Sequence, residues 1–311
     1  MTHPGRSCPL AYRYAPESLM EHVALRVDTL WIAGGLYGNT LALRALLDAF
    51  VAEPGEKALV FNGDFHWFDV DREEFLLVNE TVLGFHATRG NVETELAAPE
   101  EGAGCGCGYP EWVGEATVEH SNRIIERLRS TARKEPAALA RLARLPMHLA
   151  AVVGDARIAI VHGDAHSLAG WDFSQEILTT PEGSSAAQRA LAQAGADIFA
   201  SSHTCLPVLQ SFDNGIVVNN GAAGMPNLHG ETFGIATRIS VRRGNQAIYA
   251  ARRGNVSVEA VPLRYDAVAW RKRFLAQWPP GSDAHESYWD RIVRGPRYGI
   301  GQALRALSWQ A

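Results

Sequence analysis

The chain has 311 residues, 47% hydrophobic and 20% charged, the composition of an ordinary globular protein with enough length for a substantial core. Acidic residues outnumber basic ones 34 to 29, the net charge is -5 and no long run carries one sign, so nothing points to a nucleic-acid partner. No stretch has the apolar length to span a bilayer, and the opening MTHPGRSCPLAYRY lacks the apolar segment of a signal peptide, so a cytoplasmic chain without a membrane partner is expected. Four cysteines (Cys8, Cys105, Cys107 and Cys205) are too few for a disulfide scaffold at this length, and a reducing compartment would keep them as thiols.

In chain order, TLWIAG (29–34) predicts a strand, TLALRALLDAFVAE (40–53) a helix and ALVFNGD (58–64) a second strand, the rhythm of a βαβ unit. REEFLLVNETVLG (72–84) predicts the next helix and FHATRGN (85–91) a third strand, parallel to the second because the crossover is long. Residues 94–114 are rich in Gly, Pro and acid and predict an irregular excursion, followed by a helix through ATVEHSNRIIERLRSTARK (116–134). From residue 147 strands come densely: MHLAAVVG, RIAIVHGD, ADIFASSH, PVLQSF, GIVVNNG, FGIATRISVRR and QAIYAARR. The turn signals VGDAR, FDNG and RRGN between them predict hairpins and antiparallel pairing. The tail from Tyr265, with Trp270, Trp278, Trp289 and the apolar end GQALRALSW, is expected to pack back as helices. The whole, 1–311, reads as one domain with a core over about 28–266 and a helical extension over 267–311.

Four of these strands end in metal-competent residues: Asp64 after FNG, Asn91 after TRG, His162 in IVHGD and His203 in ASSH. Ligands in α/β sheets bind beyond the carboxyl ends of strands, where loops converge on a rigid frame. Alone, Asp64 or Asn91 beside glycine reads as a turn former, and either histidine as a buried, satisfied one. As four strand exits in order, one carboxylate, one amide oxygen and two imidazoles suit a site for Mn, Fe or Zn.

GLYGN (35–39), GDFHWFD (63–69), GNVE (90–93), VHGD (161–164), SHTC (202–205) and NNGAAGMP (219–226) stand in the order of the motifs DxHGN, GD, GN[HV]E, a lone His, and GHTH with NPGS. In these motifs the chain resembles the calcineurin-like metallophosphoesterases over roughly 28–266. The resemblance implies an α/β fold, a four-layer α/β/β/α sandwich with two mixed central sheets. It further implies hydrolysis of a small phosphomonoester or phosphodiester through metal-bound water. Carried over by motif, Asp64 would be the bridging carboxylate, and Asn91, His162 and His203 would complete one divalent metal position.

The second metal position would be held in the family by residues that align with Gly35, Tyr37 and Cys205, two without a ligand and one changed to sulfur. The GNHE histidine aligns with Val92, and the second Asp of GDxxD with Trp67. A soft site from Cys205, Cys105, Cys107 and Cys8 stands beside the plainer reading of these cysteines as loop and packing residues. His66 is the candidate catalytic proton relay, and His166 is expected on the surface. A metal-dependent phosphoesterase acting on a small phosphorylated substrate leads; a non-catalytic or repurposed relative binding a ligand or partner is the alternative, with oligomerisation left open.

Overall fold

The computed structural model describes residues 3–99 and 102–305. Strands β1 (Val23–Val27), β2 (Thr29–Ala33), β3 (Lys57–Asn62), β4 (His86–Thr88), β5 (His148–Val153), β6 (Ala156–Val161), β7 (Ile198–Ser201), β8 (Val208–Phe212), β9 (Gly215–Asn219), β10 (Gly234–Ser240), β11 (Tyr249–Arg253), β12 (Val256–Leu263) and β13 (Leu304–Arg305) form two sheets. One is ordered β1-β5-β6-β7-β9-β8-β13, the other β11-β12-β10-β2-β3-β4. Both are mixed: β2, β3 and β4 pair in parallel, whereas VGDAR and FDNG close the antiparallel pairs β5–β6 and β8–β9.

Strand alternation decides which face meets what. Leu30, Ile32, Ala58 and Val60 face one cluster with Ile158, Ile160, Ile198 and Val218 of the other sheet, so the two sheets pack on each other. The alternate residues Trp31, Leu59 and Phe61 join a second cluster with α1 (Thr40–Ala52), α2 (Arg72–Val82), α3 (Asn91–Ala97), α4 (Glu115–Ala132) and α5 (Pro136–Leu142). After the short α6 (Gln175–Leu178), α7 (Pro181–Ala194) covers the outer face of the seven-stranded sheet through Ala187, Ala190, Leu191 and Ala194 against Phe199 and Val217. The result is a four-layer α/β/β/α sandwich. No helix among the described residues is long and apolar enough to cross a membrane.

Besides β13, two strands escape the sequence pattern. β1 is short and carries Arg26, and β12 is masked by Glu259, which is buried inside the sheet and paired with Arg238 at 2.8 Å. Residues 91–97 are helical where an irregular excursion begins at 94 by composition, because Glu93 caps the helix from within its first turn.

The tail folds into α8 (Ala267–Gln277), α9 (Asp283–Arg294) and α10 (Ile300–Ala303). Its end departs from the helical expectation: Leu304 and Arg305 pair with β8, and residues 306–309 of GQALRALSW lie outside the described residues. α8 and α9 dock through Trp270, Phe274, Trp278 and Ile292, all buried in the cluster that also holds Phe68. The Trp278 indole donates to the Phe68 carbonyl at 2.8 Å, which fixes the extension against the loop after β3. Trp278→Ala removes both a fully buried ring and that hydrogen bond, and is expected to cost about 3–5 kcal/mol in a urea unfolding titration.

Candidate metal centre

The carboxyl ends of β3 and β4 in one sheet and of β6 and β7 in the other deliver Asp64, Asn91, His162 and His203. Asn62, the last residue of β3 and fully buried, joins all four strands. Its amide nitrogen donates to the Val161 carbonyl at 2.8 Å and to the Ser202 hydroxyl at 2.9 Å, while its side-chain oxygen accepts from Thr88 at 2.9 Å. Its backbone carbonyl accepts from His162 Nδ1 at 2.8 Å. Sequence reasoning passed over Asn62, because an asparagine before Gly-Asp reads as a turn residue.

Asp64 has a left-handed backbone, φ 53°, a conformation costly for a non-glycine residue. Glu93 holds it there. Its buried carboxylate accepts from the backbone nitrogens of Asp64, Phe65 and Gly90 at 2.8, 3.0 and 2.8 Å. Gly90 is required because a Cβ there would strike the Asp64 carboxylate.

Ligand atoms of Asp64, His162 and His203 all lie within 4.8 Å of one another, and all three residues are buried. His162 Nε2 is 3.3 Å from Asp64 Oδ2 and 3.3 Å from His203 Nδ1. The outer nitrogens are committed to backbone carbonyls: His162 Nδ1 to Asn62, and His203 Nε2 to Cys107 at 2.8 Å. A carbonyl only accepts, so each ring donates outward and turns its other nitrogen to the centre, the orientation that suits a metal-binding histidine. Asn91 donates from Nδ2 to the Cys105 carbonyl at 2.9 Å, and its buried Oδ1 has no partner among the described residues.

Electrostatics favour positive charge at this point. Burial raises the Asp64 pKa, but His162 and His203 outweigh it and hold the carboxyl below its usual value. Burial opposes charge on His162, yet Asp64 raises it above the ordinary imidazole value. His203 is pushed down to about 4 by burial and by His162, so it stays neutral and able to coordinate at physiological pH. An orphaned amide oxygen, a carboxylate and two inward imidazoles fit one divalent cation of the Mn, Fe or Zn type.

No family model matches the sequence, and no curated protein matches it. In structure it is similar to the hypothetical protein PH1004 from Pyrococcus horikoshii OT3, with TM-score 0.61 and 16% identity over 88% of this chain and 100% of that one. It is also similar to a metallophosphoesterase from Sphaerobacter thermophilus, with TM-score 0.55 and 15% identity over 87% of this chain and 100% of that one. The chain has the calcineurin-like metallophosphoesterase fold.

Within that fold, Gly35, Tyr37 and Cys205 form a second group beside the first. Tyr37 and Cys205 also have left-handed backbones, φ 54° and 62°. The Tyr37 ring lies over Gly35 so closely that a Cβ at 35 would run into it, and the Tyr37 hydroxyl is 2.7 Å from Cys205 Sγ. The phenol therefore takes the space that a side chain at 35 would use. Burial pushes the Cys205 thiol up, with Arg291 and Tyr37 opposing, which disfavours a thiolate.

Of the other cysteines, Cys107 borders the same cavity as Cys205. Cys105 and Cys107 are joined to each other by a disulfide, a state in which neither offers a thiolate and which the expectation of four thiols did not include. Cys8 is 3.0 Å from the Ser167 hydroxyl and borders a separate groove. The 105–107 loop instead serves through its carbonyls, which hold Asn91 and His203.

His66 is fully buried, stacks on Phe75 at 4.2 Å and pairs with Asp69 at 2.6 Å. It does not border the cavity at the site, so its geometry is that of a packed pair behind Asp64. His166 is exposed, as expected.

The cavity has a volume of about 170 Å³ and is bordered by Asp64, Asn91 and His203, by the aromatic residues Trp67, Tyr109, Trp171 and Tyr288, and by Tyr37, Val92, Cys205 and Arg291. Tyr288 and Arg291 come from α9, more than 60 residues beyond the last of the motifs, NNGAAGMP (219–226). Their only sequence signal is an amphipathic helix. Asn62→Ala is expected to weaken divalent-metal binding about 10–100-fold by loosening the frame around His162, whereas Cys205→Ser is expected to leave ion content unchanged, both read by metal titration and elemental analysis.

Proposed function

We propose that the chain is a metal-dependent phosphoesterase acting on a small phosphate ester, with Asp64, Asn91, His162 and His203 holding one divalent ion. One observation carries this reading: four strand ends from two sheets bring a carboxylate and two tautomer-fixed imidazoles within 4.8 Å, beside an amide oxygen with no partner among the described residues. An ion held there supplies Lewis acidity toward a phosphoryl oxygen and lowers the pKa of a coordinated water.

The chain's own residues supply the rest. Glu93 and Asn62 keep the ligand atoms in place before substrate arrives, so little reorganisation is needed. Trp67, Val92, Trp171 and Tyr288 line the cavity with aromatic and apolar surface, which lowers the local dielectric and strengthens electrostatic interactions inside it. A volume of about 170 Å³ supports a small substrate.

A non-catalytic relative that binds a ligand or protein partner in this cavity is favoured by a different observation. Tyr37 fills the space beside Gly35, and Val92 stands where a proton-bearing side chain would face the cavity. The two readings differ in turnover. As a hydrolase with one ion, the protein is expected to act on aryl phosphates, whose leaving groups carry charge well, much faster than on alkyl phosphates. Removing metal with a chelator, or His203→Ala, is expected to abolish both activities in a colorimetric phosphate-release assay. Metal-loaded protein that turns over neither class would favour the binding reading.

A further inference from the structure

We infer that Arg291, carried by α9 of the C-terminal extension, is the anchor for the phosphoryl group of a phosphomonoester. The inference rests on the phosphoesterase reading and names the substrate class of the same cavity.

Arg291 borders the cavity together with Asp64, Asn91 and His203. Its guanidinium is held by two backbone carbonyls, Nε donating to Pro226 at 3.0 Å and Nη2 to Cys205 at 2.9 Å. Those bonds set the plane of the fork and leave Nη1 without a protein acceptor among the described residues. No carboxylate among the described residues pairs with it either, in contrast to Arg238, which is paired with Glu53 and Glu259 at 2.7 and 2.8 Å. A cation fixed in place, without a counterion and beside a cavity, is arranged to receive an anion. A planar fork with spare N–H groups suits phosphate oxygens.

Charge and volume narrow the anion. Asp64 is the carboxylate bordering the cavity, so Arg291 and a divalent ion together leave a clear positive excess that matches a dianion better than a monoanion. An apolar cavity of about 150 Å³ holds one benzene-sized ring. At about 170 Å³ the space takes a phosphoryl group with at most part of one organic group inside, the rest of the substrate lying at its open side.

The test uses full-length, metal-loaded protein and inorganic phosphate as probe, with ion content measured on each sample. Arg291→Ala is expected to keep the wild-type ion content and to weaken phosphate binding about 10–100-fold by calorimetric titration, the size of effect for a charge-assisted hydrogen bond. Arg291→Lys is expected to fall between them, and added guanidinium ion to restore part of the affinity of Arg291→Ala, which a merely structural role would not permit. The preference for an aryl phosphomonoester over its methyl aryl diester in kcat/KM should shrink in both variants. Phosphate affinity equal to wild type in both variants, or no phosphate binding by wild type, would overturn the inference. Failure of wild type to take up an ion would instead refute the metal reading, and the phosphate comparison between wild type and variants would still decide on Arg291.

Discussion

Everything at the site depends on two sheets being held in register at their carboxyl ends, and Asn62 does most of that. Its side chain and carbonyl bond to β4, to β6 and to the residues that follow β6 and β7, all in a region shielded from water. Buried polar groups of this kind must be satisfied, and each partner left alone would carry a desolvation cost of about 1–3 kcal/mol. The network is therefore self-enforcing: the strand ends stay where Asn62 can bond them all, and the ligand atoms inherit that precision.

A consequence is that the centre is strained in a directed way. Asp64, Tyr37 and Cys205 are the non-glycine residues with left-handed backbone among those described, and all three border one cavity. Such conformations persist only where surrounding structure over-determines them. Around Asp64 that structure is the Glu93 carboxylate; around Cys205 it is the Tyr37 hydroxyl on sulfur and the Arg291 guanidinium on the carbonyl. The two halves of the cavity are thus built differently, one turning lone pairs inward and the other filled by a phenol. That asymmetry agrees with one cation position rather than two.

Much of the frame was legible in the sequence because its physics is local. The periods of β2, α1, β3 and α2, and the turn chemistry of VGDAR and FDNG, report backbone geometry directly, and Asp64, Asn91, His162 and His203 follow strands whose ends are marked. What was hidden depends on distant partners. Glu259 looks like a strand breaker until Arg238 is seen beside it, Asn62 looks like a turn residue until four strands are seen around it, and His66 looks like a cavity residue until Phe75 and Asp69 enclose it. Tyr288 and Arg291 sit on a helix whose docking depends on Trp270, Phe274 and Trp278, so no pattern near the motifs foretells them. The Cys105–Cys107 bond was likewise beyond a spacing argument, which treats the pair as thiols.

The central claim is a single cation held by nitrogen and oxygen, with sulfur and a second ion excluded from the shell. X-ray absorption on the zinc-loaded protein reads that shell directly. The account predicts only nitrogen and oxygen scatterers near about 2.0–2.2 Å, with the outer-shell signature of two imidazoles. A sulfur shell near about 2.3 Å, or a metal–metal vector of about 3.5–4 Å, would contradict it.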